Sequence, residues 1–356
     1  MKSKFLNIAI SIVSILLMLL VLEVAARIYK SEYSFKNFVD EKSMFFRSAY
    51  PAEFDPELLG WIPKKSVSNK ENVWGTTLTI LENGIRSNGQ DSPQSGLSDS
   101  APVLVVGGSF TFGDQVSDHE TFPAILGKML QKRVINAGVF GYGTDQSFLR
   151  ARKLIDIYKP DILIMDVMYD HVMRAEQSVR RGVGKPYFEA SGGKLILKNI
   201  PVPPPSQEQA ILGKFRKVLG HSFFIHIFMM RINPEYWLQG IWNDTTEHAE
   251  GVKVTCLIFK ELMDIAKTKN IKVYILLQYH DMTSQIHEVP LPEMLETMGQ
   301  LKTCLKGSSL TVVDLWPSLL ELKENNEEEY KSMYKGHMTA KGNAFVAAKL
   351  KEAMGL

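Results

Sequence analysis

Five short apolar runs recur along the chain, and segments with helical spacing separate most of them. Apolar runs of this length, bounded by turn residues, are typical of buried strands. The runs cover residues 102–108, 133–139, 161–168, 272–280 and 310–316. The helical patterns cover residues 122–132, 145–159, 254–270, 292–306 and 341–354. Strands that alternate with helices predict an α/β fold with a parallel sheet covered by helices on both faces.

A longer apolar run stands apart at the N-terminus. Residues 5–26 carry one charge, Glu23, and a helix of this length spans roughly 33 Å, enough for a bilayer core. A cleavable signal peptide is the alternative, because the small residues at 24–26 suit a cleavage site. The run exceeds a usual signal-peptide core, which favours an uncleaved transmembrane anchor over residues 1–30. The rest of the chain is then one body, expected on the extracytoplasmic side.

Two further stretches interrupt the alternation of strands and helices. Residues 31–100 are a lead-in with short strands, and their end, 89–100, has the Gly, Ser and Pro content of a linker. The main domain, 101–356, carries an insertion at about 173–250 that begins with a hairpin pattern around Gly192-Gly193. The aromatic stretch 222–242 within it is interpreted as a cap packed on the sheet, in preference to a substrate or membrane-facing lid.

Composition narrows the class of protein. The chain has 356 residues, of which 45% are hydrophobic and 22% charged, with a net charge of +2. This balance excludes a disordered chain and gives no basic field for nucleic acid. The two cysteines, Cys256 and Cys304, lack a zinc-ligand spacing. They fall in consecutive predicted helices, so a disulfide is geometrically allowed if those helices lie side by side.

Residues able to do chemistry follow the predicted strands. In a parallel sheet, ligands bind beyond the carboxyl ends of the strands. Ser109 follows two glycines at the first strand end, where it is either a nucleophile or a simple helix cap. Glycines, including Gly141, follow the second strand, and Tyr169-Asp170-His171 follows the third. His337 precedes the last helix, either as a general base for a serine or as an ordinary loop histidine.

Four segments, taken in order, resemble the SGNH (GDSL-like) hydrolases. They are GGSFTFGDQVSDHETFPAIL, VINAGVFGYGTDQ, KPDILIMDVMYDHVMR and GHMTAKGNAFVAAKL. More narrowly, they resemble membrane-anchored bacterial members linked to surface polysaccharides. The resemblance implies a flavodoxin-like α/β/α sandwich with a five-stranded parallel sheet, and acyl chemistry through a serine without metal or organic cofactor. It maps the nucleophile to Ser109, the general base to His337, and oxyanion N–H donors to Ser109 and Gly141.

Three positions depart from the family pattern. The aspartate of Gly-Asp-Ser is Gly108, the asparagine oxyanion donor is Tyr169, and the acid three residues before the histidine is Tyr334. Loss of a triad acid costs up to about 10⁴ in rate. The Tyr169 phenol is a candidate replacement donor in the oxyanion hole, and Asp170 or Asp114 is a candidate acid to orient the histidine.

Two functions follow from these observations. The surviving serine, glycine and histidine favour an acyl ester hydrolase or O-acyltransferase acting on an acylated cell-surface glycan or a similar envelope ester. The lost positions favour a catalytically inactive domain that binds glycan or scaffolds a polysaccharide assembly complex.

Overall fold

The structure is a computed structural model, and its folded segments form two separate compact units. Unit 1 comprises Met1–Met44 with Pro205–Asn243, and unit 2 comprises Phe45–Pro204 with Asp244–Leu356. The residues that the structure describes are 2–30, 33, 38, 52–71, 75–89, 100–204, 218–233, 237, 244–247, 249–283 and 291–355. The predicted linker therefore lies mostly outside the described residues.

The strands are numbered in chain order. They are β1 Ala52–Asp55, β2 Gly60–Pro63, β3 Val67–Glu71, β4 Thr77–Ile80, β5 Val103–Val106, β6 Val134–Asn136, β7 Ile162–Val167, β8 Gln177–Arg180, β9 Val183–Gly184, β10 Tyr187–Ser191, β11 Lys194–Lys198, β12 Thr245–Thr246, β13 Lys272–Leu277, β14 Thr311–Asp314, β15 Tyr334–Lys335 and β16 His337–Met338.

The helices follow the same convention, and a 3₁₀ turn, Asp118–Glu120, lies between the second and third. They are α1 Lys2–Lys30, α2 Ser109–Phe112, α3 Phe122–Leu130, α4 Thr144–Tyr158, α5 Tyr169–Arg174, α6 Phe223–Ile232, α7 Gly251–Lys269, α8 Leu291–Leu305, α9 Trp316–Asn325, α10 Glu327–Ser332 and α11 Ala340–Ala353.

A five-stranded parallel sheet forms the centre of unit 2. Its strand order is β14-β13-β7-β5-β6, so each of the five apolar runs became a strand and the predicted fold class is confirmed. All four residues of β5 are fully buried, as expected for a strand covered on both faces. The connection from β6 to β7 crosses over β5. Strand order thus reverses beside β5, and the ligands of open parallel sheets bind at the carboxyl ends of the strands at such a point.

The lead-in strands pack on this body and brace its second glycine-rich turn. The indole Nε1 of Trp61 in β2 donates to the carbonyl of Phe140 at 3.0 Å, and the hydroxyl of Tyr142 donates to the carbonyl of Trp61 at 2.6 Å. The amide of Gln146 donates to the carbonyl of Leu59 at 2.8 Å. Residues 59–61 therefore hold both sides of Gly141, so this part of the lead-in belongs to the sheet domain.

Arg86 extends the same bracing to the segment that follows Ser109. Its guanidinium is buried and donates to the carbonyls of Phe112, Gly113 and Val116. Its Nε also lies 3.2 Å from an Asp118 carboxylate oxygen. Buried backbone oxygens need such partners, so this arginine fixes the loop between α2 and the 3₁₀ turn.

The insertion divides between the two units. Its first part forms the predicted hairpin, with Ser191 paired to Lys194 across the glycine turn. Its later part, including α6, belongs to unit 1 together with α1. The interpretation of the aromatic stretch as a cap on the sheet stays a prediction, and part of the stretch lies outside the described residues. Apolar side chains of this stretch pack within the unit that contains the N-terminal helix, where Trp237 is buried against its neighbours.

The structure contains the disulfide that the sequence allowed but left open. Cys256 in α7 and Cys304 in α8 are bonded, with their Cα atoms 5.7 Å apart. The two helices lie side by side, as consecutive crossover helices on one face of a parallel sheet can. The bond joins two residues that are 48 positions apart in the sequence.

Candidate active site

The chain turns sharply between β5 and Ser109, the first residue of α2. A Cβ atom on Gly107 would lie 2.3 Å from the Thr111 hydroxyl, and one on Gly108 would lie 2.2 Å from Nε2 of His171. Both distances are far below van der Waals contact, so only glycine fits at these positions. The helix ends after one turn at Gly113, whose φ is +85°.

Ser109 and His337 meet at the carboxyl edge of the sheet. Nε2 of His337 lies 2.8 Å from the Ser109 hydroxyl, which is hydrogen-bond distance for a nucleophile and its base. Ser109 is 9% exposed, and the imidazole is 20% exposed, so both are shielded but accessible. The backbone N–H of His337 donates to the side-chain oxygen of Gln115 at 3.0 Å, and the Phe110 ring lies 5.0 Å from the imidazole. These contacts hold the histidine over the serine.

Asp114 lies beside this pair in an unexpected position. Its Oδ2 is 4.0 Å from Nε2 of His337, the same nitrogen that faces Ser109. A triad acid instead bonds the other ring nitrogen and fixes its tautomer. The prediction that Asp114 orients the ring in that manner is therefore wrong. Its buried carboxylate is placed to stabilise the positive charge of a protonated His337.

The hydroxyl of Tyr169 is engaged by a residue of the protein. It donates to the Glu293 carboxylate on α8 at 2.6 Å. A phenol has one proton to donate, so the prediction of Tyr169 as an oxyanion donor is wrong for this arrangement. Burial, together with the Glu293 carboxylate, raises the pKa of Tyr169 above its usual value.

Asp170 also has other partners. Its carboxylate accepts from Arg174 at 2.8 Å and lies 3.2 Å from Nε2 of His280. Burial alone would raise its pKa, but the charge of Arg174 and the hydrogen bond from His280 outweigh burial and hold the pKa well below its usual range. Asp170 is thus an ionised partner of these two residues, and its role as the orienting acid of His337 stays a prediction.

Asp166, near the end of β7, is a residue that the sequence analysis did not single out. It is fully buried beneath the Ser109 turn, and its carboxylate accepts from the Thr111 hydroxyl at 2.8 Å. Burial raises its pKa to about 7, although hydrogen bonds from Thr111 and from the Gly108 N–H oppose that shift. The sequence did carry a signal, since an aspartate inside an apolar strand is rarely buried without a role.

His171 completes the support of the turn. Its Nδ1 lies 3.3 Å from the carbonyl oxygen of Asp166, and its Nε2 faces Gly108. Burial, with a smaller contribution from the charge of Arg174, lowers the pKa of His171 to about 3, so the ring is neutral at ordinary pH. A neutral ring with Nδ1 donating to the carbonyl leaves Nε2 unprotonated.

Gly141 lies in the turn after β6 with a φ of +77°, a conformation that favours glycine. Its neighbours on both sides are held by Trp61, as described above. The oxyanion roles of the Ser109 and Gly141 N–H groups remain predictions. Among the described residues, no group of three or more His, Cys, Asp or Glu side chains is arranged to hold a metal ion.

Solved structures with a similar fold include several hydrolases. A lipolytic-type protein of the G-D-S-L family from Desulfitobacterium hafniense is 13% identical, with a TM-score of 0.42, and the match covers 71% of this chain and 99% of that one. An acetyl xylan esterase is 12% identical, with a TM-score of 0.43, over 71% of this chain and 98% of that one. A GDSL-like lipase from Bacteroides thetaiotaomicron is 13% identical, with a TM-score of 0.40, over 72% of this chain and 88% of that one.

Two of these three are described as G-D-S-L or GDSL-like, and the third as an acetyl xylan esterase. Such low identities and TM-scores carry no argument about substrate or activity. No protein-family model and no curated protein matches the chain. The geometry around Ser109 is therefore the basis on which a function can be assigned.

Proposed function

We propose that the protein is a serine acyl ester hydrolase or O-acyltransferase in which Ser109 and His337 work as a dyad. The observation that carries the proposal is the 2.8 Å separation between Nε2 of His337 and the Ser109 hydroxyl. Nε2 accepts the hydroxyl proton while the serine oxygen attacks the acyl carbonyl. The resulting oxyanion is stabilised by the backbone N–H groups of Ser109 and Gly141.

The remaining steps follow from the same groups. The protonated imidazole, stabilised by Asp114 at 4.0 Å, returns its proton to the departing alcohol oxygen, and the acyl group stays on Ser109. Water, or the hydroxyl of an acceptor sugar, then gives its proton to His337 and attacks the acyl-serine. The bond between the acyl carbon and the Ser109 oxygen breaks, and the imidazole returns its proton to that oxygen, which restores the dyad. The first nucleophile gives hydrolysis and the second gives acyl transfer.

We further propose that the substrate is an acylated glycan or similar ester of the cell envelope, with the catalytic body on the extracytoplasmic side. Among the described residues, one helix, Leu6–Lys30, is long and apolar enough to cross a membrane. The Cys256–Cys304 disulfide supports an oxidising compartment, because disulfides rarely persist in the cytoplasm.

An inactive binding domain is the second candidate. The observation that favours it is the commitment of Tyr169 to Glu293 and of Asp170 to Arg174, which removes two of the expected catalytic groups. Binding alone does not require a serine in hydrogen-bond contact with a histidine, so we place the binding domain second.

The deciding experiment measures hydrolysis of a small activated acetyl ester by Ser109→Ala and His337→Ala. Both variants are expected to fall to the background rate, because the two groups act as a unit. Ser191→Ala, in an exposed hairpin position, is the control and should match wild type. A fluorophosphonate probe should label Ser109 and nothing else in the folded chain. Wild-type turnover equal to that of Ser109→Ala, with no labelling, would establish the binding domain instead.

A further inference from the structure

The α6 helix in unit 1 has a composition unusual for a helix in water. Eight of its ten residues are apolar, and only Phe223 is buried. Phe228 is 52% exposed and Ile232 is 63% exposed. A helix that is apolar on all sides is normally enclosed by protein or by lipid. At about 15 Å it is too short to cross a bilayer.

The N-terminus of α6 is fastened to α1 through Glu23. The Glu23 carboxylate accepts from the Ser222 hydroxyl at 2.7 Å and from the backbone N–H groups of Phe223 and Phe224 at 2.9 Å each. It thereby satisfies N–H groups that a helix N-terminus leaves without partners. Arg27, one turn further along α1, pairs with Glu23 at 2.6 Å.

The position of Glu23 along α1 sets the depth at which α6 begins. Seventeen residues separate Leu6 from Glu23, which is roughly 26 Å of helix against a hydrocarbon core of about 30 Å. If α1 spans the bilayer from Leu6, Glu23 lies close to the boundary between hydrocarbon and headgroups. A carboxylate at that depth requires partners, and α6 supplies three of them.

We propose that α6 is a second membrane contact, lying in the headgroup boundary of the bilayer with its N-terminus capped by Glu23 of the anchor. The occupant of its exposed apolar surface is lipid. The same geometry assigns α1 as a retained anchor, because cleavage after Ala26 would remove the group that caps α6. The proposal does not depend on the activity of Ser109.

The test places a fluorescent label on the full-length protein in lipid vesicles. The native cysteines are paired, so Phe228→Cys provides one reactive thiol on α6. Ile157→Cys, on α4 in unit 2 and 60% exposed, is the matched control. The vesicles contain phosphatidylcholine and phosphatidylglycerol, with or without phosphatidylcholine that carries a doxyl quencher high on its acyl chain.

The label at 228 is expected to lose about half of its fluorescence to the doxyl lipid, because interfacial helices bury about 5–10 Å into the headgroup boundary. The label at 157 should be quenched only by aqueous iodide. Iodide quenching at 228 without doxyl quenching would overturn the proposal. Protection of 228 from both quenchers would identify a second protein chain as the occupant and would also overturn it.

A second arm tests the connection to the anchor. Glu23→Leu keeps α1 apolar but removes the acceptor, so doxyl quenching at 228 should decrease while the protein stays in the membrane fraction. Glu23→Gln, which retains an acceptor oxygen, should restore part of the quenching. Unchanged quenching in Glu23→Leu, or membrane-bound protein whose intact mass begins at Arg27, would refute the role of Glu23. Circular dichroism of each variant reports folding throughout.

Discussion

Two parts of the sheet edge, one after β5 and one after β7, use their polar residues differently. After β5, Ser109 faces His337 at 2.8 Å, and Asp114 lies 4.0 Å from the same imidazole nitrogen. After β7, Tyr169 is bonded to Glu293 and Asp170 is bonded to Arg174. The first part retains groups that can exchange a proton with a substrate. In the second part, the polar side chains are bonded to other residues of the protein, and this part supports the turn at Ser109.

The surroundings of Gly108 show how the two parts depend on each other. The imidazole of His171, from the segment after β7, fills the space that a side chain at 108 would need. Asp166 accepts from Thr111 one turn beyond that glycine. The glycine at 108 therefore fits its surroundings, and the turn before Ser109 is supported by Asp166 and His171.

An aspartate at position 108, where the GDSL-like pattern has one, should have the largest effect. Gly108→Asp puts a side chain into the His171 ring and a carboxylate into a buried site, so we expect a loss of at least about 3 kcal/mol in the free energy of unfolding and no measurable turnover. The double variant Gly108→Asp, His171→Gly should recover part of that stability in chemical denaturation. Gly299→Asp, at a helical glycine with open space, is the control. A Gly108→Asp protein as stable as wild type would contradict this account.

The sequence pattern predicts the arrangement of the residues after β5 better than that of the residues after β7. Ser109 follows a predicted strand and His337 precedes a predicted helix. Because parallel strands bring their carboxyl ends to one edge, the sequence was enough to pair the two residues. The partner of Tyr169, Glu293, is 124 residues away in a helix whose rotation no local pattern specifies. Likewise, the packing of α6 with α1 depends on Glu23 and Ser222, which are 199 residues apart.

Asp166 should make stability depend on pH in the opposite direction to an ordinary ion-paired carboxylate. Its pKa is raised to about 7 by burial, so the folded state holds a proton that the unfolded state releases near pH 4. Its contribution to stability is present at low pH and is lost as the pH rises through about 4 to 7, on the order of 2–4 kcal/mol. Asp166→Asn should remove this fall in the free energy of unfolding. Asp264→Asn, at an exposed position on α7, should leave it unchanged. A pH profile identical in Asp166→Asn and wild type would show that Asp166 does not titrate in this range.

Substitutions of the two candidate acids should have different effects. The Asp114 substitution should lower kcat, and the Asp170 substitution should lower the free energy of unfolding. Asp114→Asn removes a negative charge 4.0 Å from His337, so kcat should fall about tenfold to a hundredfold with little change in KM. Asp170→Asn removes a partner of Arg174 and His280, so it should lower the free energy of unfolding by about 1–3 kcal/mol while kcat changes much less. Steady-state kinetics and denaturation of both variants make the comparison. The reverse outcome, with kcat lost only in Asp170→Asn, would move the functional acid to the β7 side.

Tyr169→Phe should have the smallest effect and provides the sharpest test of the difference between the two parts. Because the hydroxyl donates to Glu293, removing it takes one hydrogen bond at the surface of α8 and leaves the transition state untouched. We expect a loss of about 1 kcal/mol or less in stability and a rate close to wild type. Removal of a working oxyanion donor would instead lower kcat by about 10²–10³, so the two roles differ by a wide margin. Glu293→Gln provides the control, since it weakens the same hydrogen bond from the other side. If Tyr169→Phe lost a hundredfold in kcat and Glu293→Gln did not, the phenol would have to leave Glu293 and turn toward the substrate during the reaction.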